Sequence, residues 1–137
     1  MKTRRRFLKA ESGSAAAELA LLAPLLALLL GAVIEVGSIV QTAQVVRNAA
    51  REGARYAAVG DPAAATDAIN YLQSVFGTRT DVTLPPVGAV SIVTSSIGTT
   101  DAVSVSVPVV LKVGMPVIQN LLGTNVTLTG SATMRIQ

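Results

Sequence analysis

The side chains that could carry covalent or metal chemistry are few in this sequence. It has no histidine and no cysteine, so it lacks the usual nucleophile and base pairs and the nitrogen and sulfur ligands of metal sites. A Ser-Lys dyad would need Lys112 together with Ser104 or Ser106, and the acids after residue 60 are dispersed at predicted caps and turns. We therefore expect no enzyme, no cofactor, no metal and no small-molecule substrate.

The carboxylate of Glu18 stands near the start of an apolar run that extends from Gly13 to Gly37. No charged side chain occurs from Leu19 to Ile34, and counting back to Ala15 gives about 20 residues, or roughly 30 Å of helix, which is the length that crosses a bilayer. Five basic side chains precede the run: Lys2, Arg4, Arg5, Arg6 and Lys9. By the positive-inside rule the N-terminus is predicted to be cytoplasmic, and everything after Gly37 extracytoplasmic.

An acid at the entrance of a membrane helix is costly, by a few kcal/mol, and usually has a partner. Glu18 either lies at the cytoplasmic interface or pairs with a positive group inside the membrane. Glu35 follows 17 residues later, about 26 Å along a helix, and is predicted to mark the outer interface.

Three interpretations of the N-terminal segment remain open. A cleaved secretory signal needs a small-x-small site after the apolar run, and the sequence from Val33 to Ser38 offers none. Thr3 to Lys9 resembles a twin-arginine export signal. In the third interpretation the chain is cut between Gly13 and Ser14, which removes a basic leader with a net charge of +4 and leaves the helix on the exported part.

The helical period continues beyond the membrane, so a single helix over 14–59 is predicted, embedded over about 15–36 and containing Pro24. Ala49, Gly53 and Ala57 stand four residues apart, a spacing that lets another backbone approach closely. That backbone is either another subunit's or the protein's own C-terminal domain.

A ladder of three arginines, Arg47, Arg51 and Arg55, occupies the same part of the helix. Like charges at this spacing repel mildly unless carboxylates lie opposite, and Glu52 is expected to point elsewhere. The ladder is either a solvated face or a charged contact between subunits.

Two segments, Gly13-Ser-Ala-Ala-Ala-Glu18-Leu and Ala49-Ala-Arg-Glu-Gly-Ala-Arg-Tyr-Ala57, resemble the TadE-like family, the pseudopilins of the tight-adherence pilus systems. The resemblance covers roughly residues 10 to 60. It implies that a prepilin peptidase cuts between Gly13 and Ser14, and that Glu18, at position five after the cut, pairs with the new α-amino group of a neighbouring subunit. It also implies insertion in the inner (cytoplasmic) membrane and, as partners, other pilins, the pilus assembly platform and membrane lipid. Leu19 departs from the aromatic residue often found there in pilins.

The chain is thus predicted to consist of a leader over 1–13, the helix over 14–59 and an extracytoplasmic α+β domain over 60–137. An amphipathic helix over 61–76 precedes strands over 87–94, 101–113 and 125–136, of which the last two alternate apolar and polar residues. We expect a three- or four-stranded antiparallel sheet packed against helix 61–76 and the outer half of the long helix. Pro108 indicates an edge position or a bulge.

The connection from Gly114 to Gly123 is apolar, and we expect most of it in the core; if exposed, it would contact another pilin or the outer leaflet. The net charge of +3 for the whole chain comes from the leader, so no nucleic-acid partner is expected. Besides a pseudopilin, two functions remain open: an uncleaved membrane-anchored binding module, and a twin-arginine export substrate.

Overall fold

The computed structural model describes residues 4–97 and 100–136, with the backbone alone for residues 4–12 and 97. Outside this range lie the first three residues of the predicted leader, two residues between the predicted strands 87–94 and 101–113, and residue 137. The helices are α1 (Arg4–Ala58), α2 (Ala64–Phe76) and α3 (Pro116–Leu122). The strands are β1 (Val82–Thr83), β2 (Ser91–Ile97), β3 (Thr100–Lys112) and β4 (Asn125–Arg135). This is the predicted α+β fold.

Helix α1 begins at Arg4, ahead of the predicted start, and continues through Pro24. The residues before Gly13 are mostly good helix formers, such as arginine, leucine and alanine, so nothing in their propensities stops the helix at the leader. A boundary between two compact units falls between Ile34 and Glu35. Residues 35–58 of α1 therefore belong to the same compact unit as the C-terminal sheet.

Strand β3 is the centre of a four-stranded antiparallel sheet. Strand β4 pairs with it along one side, from Ala102 with Arg135 to Lys112 with Asn125. On the other side β2 pairs with residues 100–106 and β1 with residues 110–111. On this second side Pro108 falls between the two segments, opposite a gap where no described strand needs the amide hydrogen that proline lacks; on the first side β4 pairs with it through Thr129. The residue predicted at an edge or a bulge thus lies in the central strand, opposite the gap between β1 and β2.

The core lies between one face of the sheet and the helices α1 and α2. The side chains of β3 alternate in burial, as the sequence predicts. The helices contribute Val46, Ala49, Ala50, Ala54, Ala58, Ala68, Leu72 and Phe76, and the strands contribute Val82, Val103, Val105, Val107, Val109 and Leu111. Because the buried residues of α1 are alanines or glycine except for Thr42 and Val46, its backbone can come close to the sheet.

Two predicted elements begin later than the pattern indicates. Helix α2 starts at Ala64, after a turn in which the Asp61 carboxylate accepts a hydrogen bond from the amide of Ala63 (2.8 Å) and the Asp61 carbonyl oxygen accepts one from the amide of Ala64 (3.3 Å). Residues Val87–Ala89 form a 3-10 turn after the two prolines, and β2 starts only at Ser91.

Candidate assembly surfaces

The N-terminal part of α1 is apolar and exposed. All side chains from Gly13 to Leu30 are exposed, and an 18-residue window of this helix has a mean hydropathy of 2.5. By length and composition the helix can cross a membrane. An apolar helix exposed on all sides requires lipid or other helices around it.

The predicted processing site lies within this exposed helix. Gly13 and Ser14 are both helical and exposed, and a Cβ added to Gly13 would meet no atom within 4 Å. Glu18 is also exposed, one turn after Ser14. No packing of the chain itself therefore requires glycine at position 13 or an acid at position 18.

The small-residue stripe lies on the face of α1 that packs on the domain. Ala49 and Gly53 are buried and Ala57 is half-buried. A Cβ on Gly53 would stand 3.0 Å from the Cβ of Ala68 in α2 and 3.3 Å from a methyl group of Val105 in β3. Within this chain, the close approach that the stripe permits is to its own helix α2 and sheet.

The arginine ladder lies on the exposed side of α1. Arg55 pairs with Glu52 at 3.2 Å and lies over the Tyr56 ring, 5.1 Å from its centroid. The hydrogen bond with the Tyr56 hydroxyl, and then the charge of Glu52, raise the pKa of Arg55. The expectation that Glu52 points elsewhere is wrong, because it lies three residues before Arg55 and thus on the same side of the helix.

The other two arginines of the ladder have no acidic partner within the part of the chain that the structure describes. Arg51 donates a hydrogen bond to the side-chain oxygen of Asn48 at 3.3 Å. A shallow depression of about 250 Å³ is lined by Gln44, Arg47, Asn48 and Arg51. This depression carries two positive charges and could accept a carboxylate from another protein.

A polar cluster that the sequence did not indicate holds α1 to the segment after α2. The Arg79 guanidinium donates hydrogen bonds to the hydroxyls of Ser38 (3.1 Å) and Thr42 (3.5 Å) and to both carboxylate oxygens of Asp81. It also lies 5.4 Å from the centroid of the Phe76 ring. The hydrogen bonds between Arg79 and Asp81 raise the pKa of Arg79 and lower the pKa of Asp81. Only the fold brings Arg79 to Ser38, so no local pattern could have revealed the contact.

The apolar connection after β3 does not lie in the core. Of α3, only Ile118 is buried, whereas Val117, Leu121 and Leu122 are 58%, 82% and 51% exposed. The expectation of an interior segment is therefore wrong for these three residues. At the start of this connection the amide of Gly114 donates a hydrogen bond to the Glu35 carboxylate at 2.8 Å, so Glu35 also contacts the domain.

Residues 13–55 match the sequence model of a family described as TadE-like protein. The matched segment is about a third of the chain and includes Gly13, Ser14, Glu18 and the three arginines of the ladder. None of the curated proteins and none of the solved structures compared with the chain matches it. The resemblance found in the sequence is thus confirmed for α1.

Proposed function

Because residues 13–55 match the sequence model of TadE-like proteins, we propose that the chain is a minor pilin of a tight-adherence pilus. In this proposal α1 anchors the protein in the inner membrane, with its N-terminus in the cytoplasm, and later packs among the helices of other pilins. The family match over residues 13–55, together with the exposed apolar surface of residues 13–30, carries the proposal.

The first step is removal of the leader by a prepilin peptidase between Gly13 and Ser14. The leader carries a net charge of +4, and the remaining chain carries −1. The leader thus provides the positive charge that orients insertion. After cleavage a single new cation, the α-amino group of Ser14, stands at the N-terminus of the helix, where the helix dipole adds to its positive charge.

The second step is pairing of that α-amino group with Glu18 of a neighbouring subunit. Both groups would otherwise be charged and unpaired at the edge of the hydrocarbon, which costs a few kcal/mol for each. In this proposal the α-amino group of each subunit pairs with Glu18 of the next one, so that the contact is head-to-tail. Head-to-tail contacts that do not close into a ring produce filaments.

Arg47 and Arg51, which have no acidic partner among the described residues, supply a second contact in this proposal. They lie on the exposed side of α1, beyond the predicted span, where water and salt would weaken an isolated ion pair. We expect them to select the register of neighbouring subunits rather than to provide most of the binding free energy.

N-terminal sequencing of the protein recovered from membranes tests the proposal. A start at Ser14 agrees with processing as a pilin. An intact Met1 or Lys2 would indicate the uncleaved binding module, and a soluble protein that starts beyond Gly37 would indicate export with loss of the helix. Either of the last two results contradicts the minor pilin.

The binding module is a second candidate because of the outer face of the sheet. This face is rich in hydroxyl groups and is not covered by α1 or α2; it includes Ser104, Ser106, Thr129, Ser131 and Thr133. The hydroxyls of Ser104 and Thr133 are hydrogen-bonded to each other across the strands. A row of hydroxyls on a flat sheet could hydrogen-bond a polar surface ligand, with the helix serving only as anchor.

A further inference from the structure

Helix α3 presents an apolar surface that the core does not use. Val117, Leu121 and Leu122 are more than half exposed, and no residue between Gly114 and Asn125 is charged. Transfer of one such side chain from water to an apolar environment is favourable by about 1.5–3 kcal/mol when burial is complete. Three such side chains on one short helix therefore favour a partner that is itself apolar.

The orientation of α3 is fixed by hydrogen bonds at its start. The Gln119 side-chain amide donates to the carbonyl oxygen of Val113 at 2.6 Å, and the amide of Val113 donates to the carbonyl oxygen of Thr124 at 2.9 Å. These two bonds close the loop around the helix. Val117 and Leu121 are four residues apart and therefore share one side of α3.

The contacts along β3 place α3 at one particular end of the domain. Gly53 of α1 lies against Val105, and Val46 lies against Gly130, which pairs with Val107. At the far end Glu35 bonds to Gly114. The strand and residues 35–58 of the helix thus run in opposite directions, and α3 emerges beside Glu35.

Glu35 is the first charged residue after the uncharged segment Leu19–Ile34. In a chain anchored by that segment, Glu35 stands where the chain leaves the hydrocarbon, and Gly114 is hydrogen-bonded to it. From this placement we propose that α3 docks on the bilayer surface, with Val117, Leu121 and Leu122 inserted at the boundary between headgroups and acyl chains. Short apolar segments at this depth lie in the plane of the interface, about 5–10 Å into the membrane.

Lipid is a better match for this surface than a second copy of the chain. Every copy carries its own α3 next to the point where its own anchor leaves the membrane, so lipid is present at this surface before any assembly occurs. The absence of charge from Gly114 to Asn125 also suits a lipid boundary, where a charged side chain would add a cost. The proposal depends on the membrane anchor and not on the pilin function.

Environment-sensitive labels on single cysteines test this proposal, since the natural chain has no cysteine. Val117→Cys and Leu121→Cys are labelled in the full chain and reconstituted in vesicles of phosphatidylethanolamine and phosphatidylglycerol, with or without brominated acyl chains. The matched control is Val93→Cys on β2, a valine that is 54% exposed. It pairs with Ser104, nine residues from Val113 along β3, which is about 30 Å.

We expect blue-shifted emission at positions 117 and 121, and bromolipid quenching there at least about twofold stronger than at position 93, given the shallow insertion of interfacial segments. Blue-shifted emission without bromolipid quenching would assign the surface to a second copy. Emission equal to that of the control would show that α3 is surrounded by water. Both of these results overturn the proposal.

Discussion

The backbone of β4 at Gly130 lies directly against the backbone of α1 at Val46. A Cβ on residue 130 would stand 2.6 Å from the carbonyl carbon of Val46 and 2.7 Å from the amide nitrogen of Arg47. Both atoms belong to the helix backbone and cannot turn aside. The glycine therefore sets how closely residues 35–58 of α1 pack on the sheet.

Substitution Gly130→Ala should push the helix away from the sheet. Overpacking against rigid neighbours costs about 1–3 kcal/mol, and we expect a loss at the upper end of this range because the obstacle is backbone. The free energy of unfolding is measured on the full chain in detergent by urea titration with circular dichroism. Gly88→Ala is the control, because a Cβ there meets no atom within 4 Å. Equal stability of the two variants would contradict the close contact.

The stripe around Gly53 can be tested in the same assay. In Gly53→Leu the added side chain meets Ala68 and Val105, so we expect a loss of about 2–3 kcal/mol in the free energy of unfolding. The control is Gly37→Leu, on the same helix, where a Cβ meets nothing within 4 Å. Wild-type stability together with impaired assembly would instead indicate that the stripe contacts another subunit.

The alternation of the sequence was a reliable guide to the sheet and a poor one to α3. Apolar residues at every second position from Val103 to Val113, all of them valine except Leu111, leave only one face that can be buried, which determines the orientation of β3. A seven-residue helix spans only two turns, so its apolar residues cannot define a buried side before the tertiary contacts are known. The sequence alone also could not decide whether Pro108 lies at an edge or in a bulge. Its position opposite the gap between β1 and β2 depends on where those two strands end.

The candidate surfaces also differ in how far the sequence alone predicts them. The positions of Gly13, Ser14 and Glu18 rest on local spacing within one helix, and a sequence pattern can identify them. The hydrogen bond between Gly114 and Glu35 spans 79 positions of the sequence, and the one between Arg79 and Ser38 spans 41 positions. Neither Glu35 nor Arg79 belongs to a local motif together with its partner, so both contacts become apparent only in the folded chain.

The Arg79 cluster predicts a specific pH dependence. The hydrogen bonds from Arg79 lower the pKa of Asp81 below its ordinary value of 3.8, so ionised Asp81 stabilises the fold at higher pH. This contribution is complete above the ordinary pKa and is lost as the pH falls through the lowered one. Because the Asp81 side chain is 42% exposed, we expect less than about 1 kcal/mol. The stability difference between wild type and Asp81→Asn should therefore be constant above about pH 5 and disappear at lower pH.

A companion variant separates the hydrogen bonds of Arg79 from its packing. Arg79→Met keeps an apolar stem next to Phe76 but loses the bonds to Ser38, Thr42 and Asp81, so we expect a loss of about 1–2 kcal/mol in the free energy of unfolding. Arg135→Met is the control, since Arg135 is exposed and has one hydrogen bond, to Thr100 at 2.9 Å. Equal losses in both variants would show that the cluster adds nothing to stability.

Glu18→Ala tests the assembly contact separately from anchoring and folding. Residue 18 lies in the exposed part of α1 and is not among the core residues, so the variant should insert in the membrane and keep the stability of the domain. Its loss of the carboxylate should leave the α-amino group of a neighbouring Ser14 unpaired, at a cost of a few kcal/mol in an apolar site. We expect the fraction of protein recovered in sheared pili to fall at least about tenfold, because 1.4 kcal/mol already corresponds to that ratio. Glu52→Ala, which removes another acid of α1, should assemble like wild type. If Glu18→Ala is processed and recovered in pili at the wild-type level, the carboxylate has no part in joining subunits, and the head-to-tail pairing is wrong.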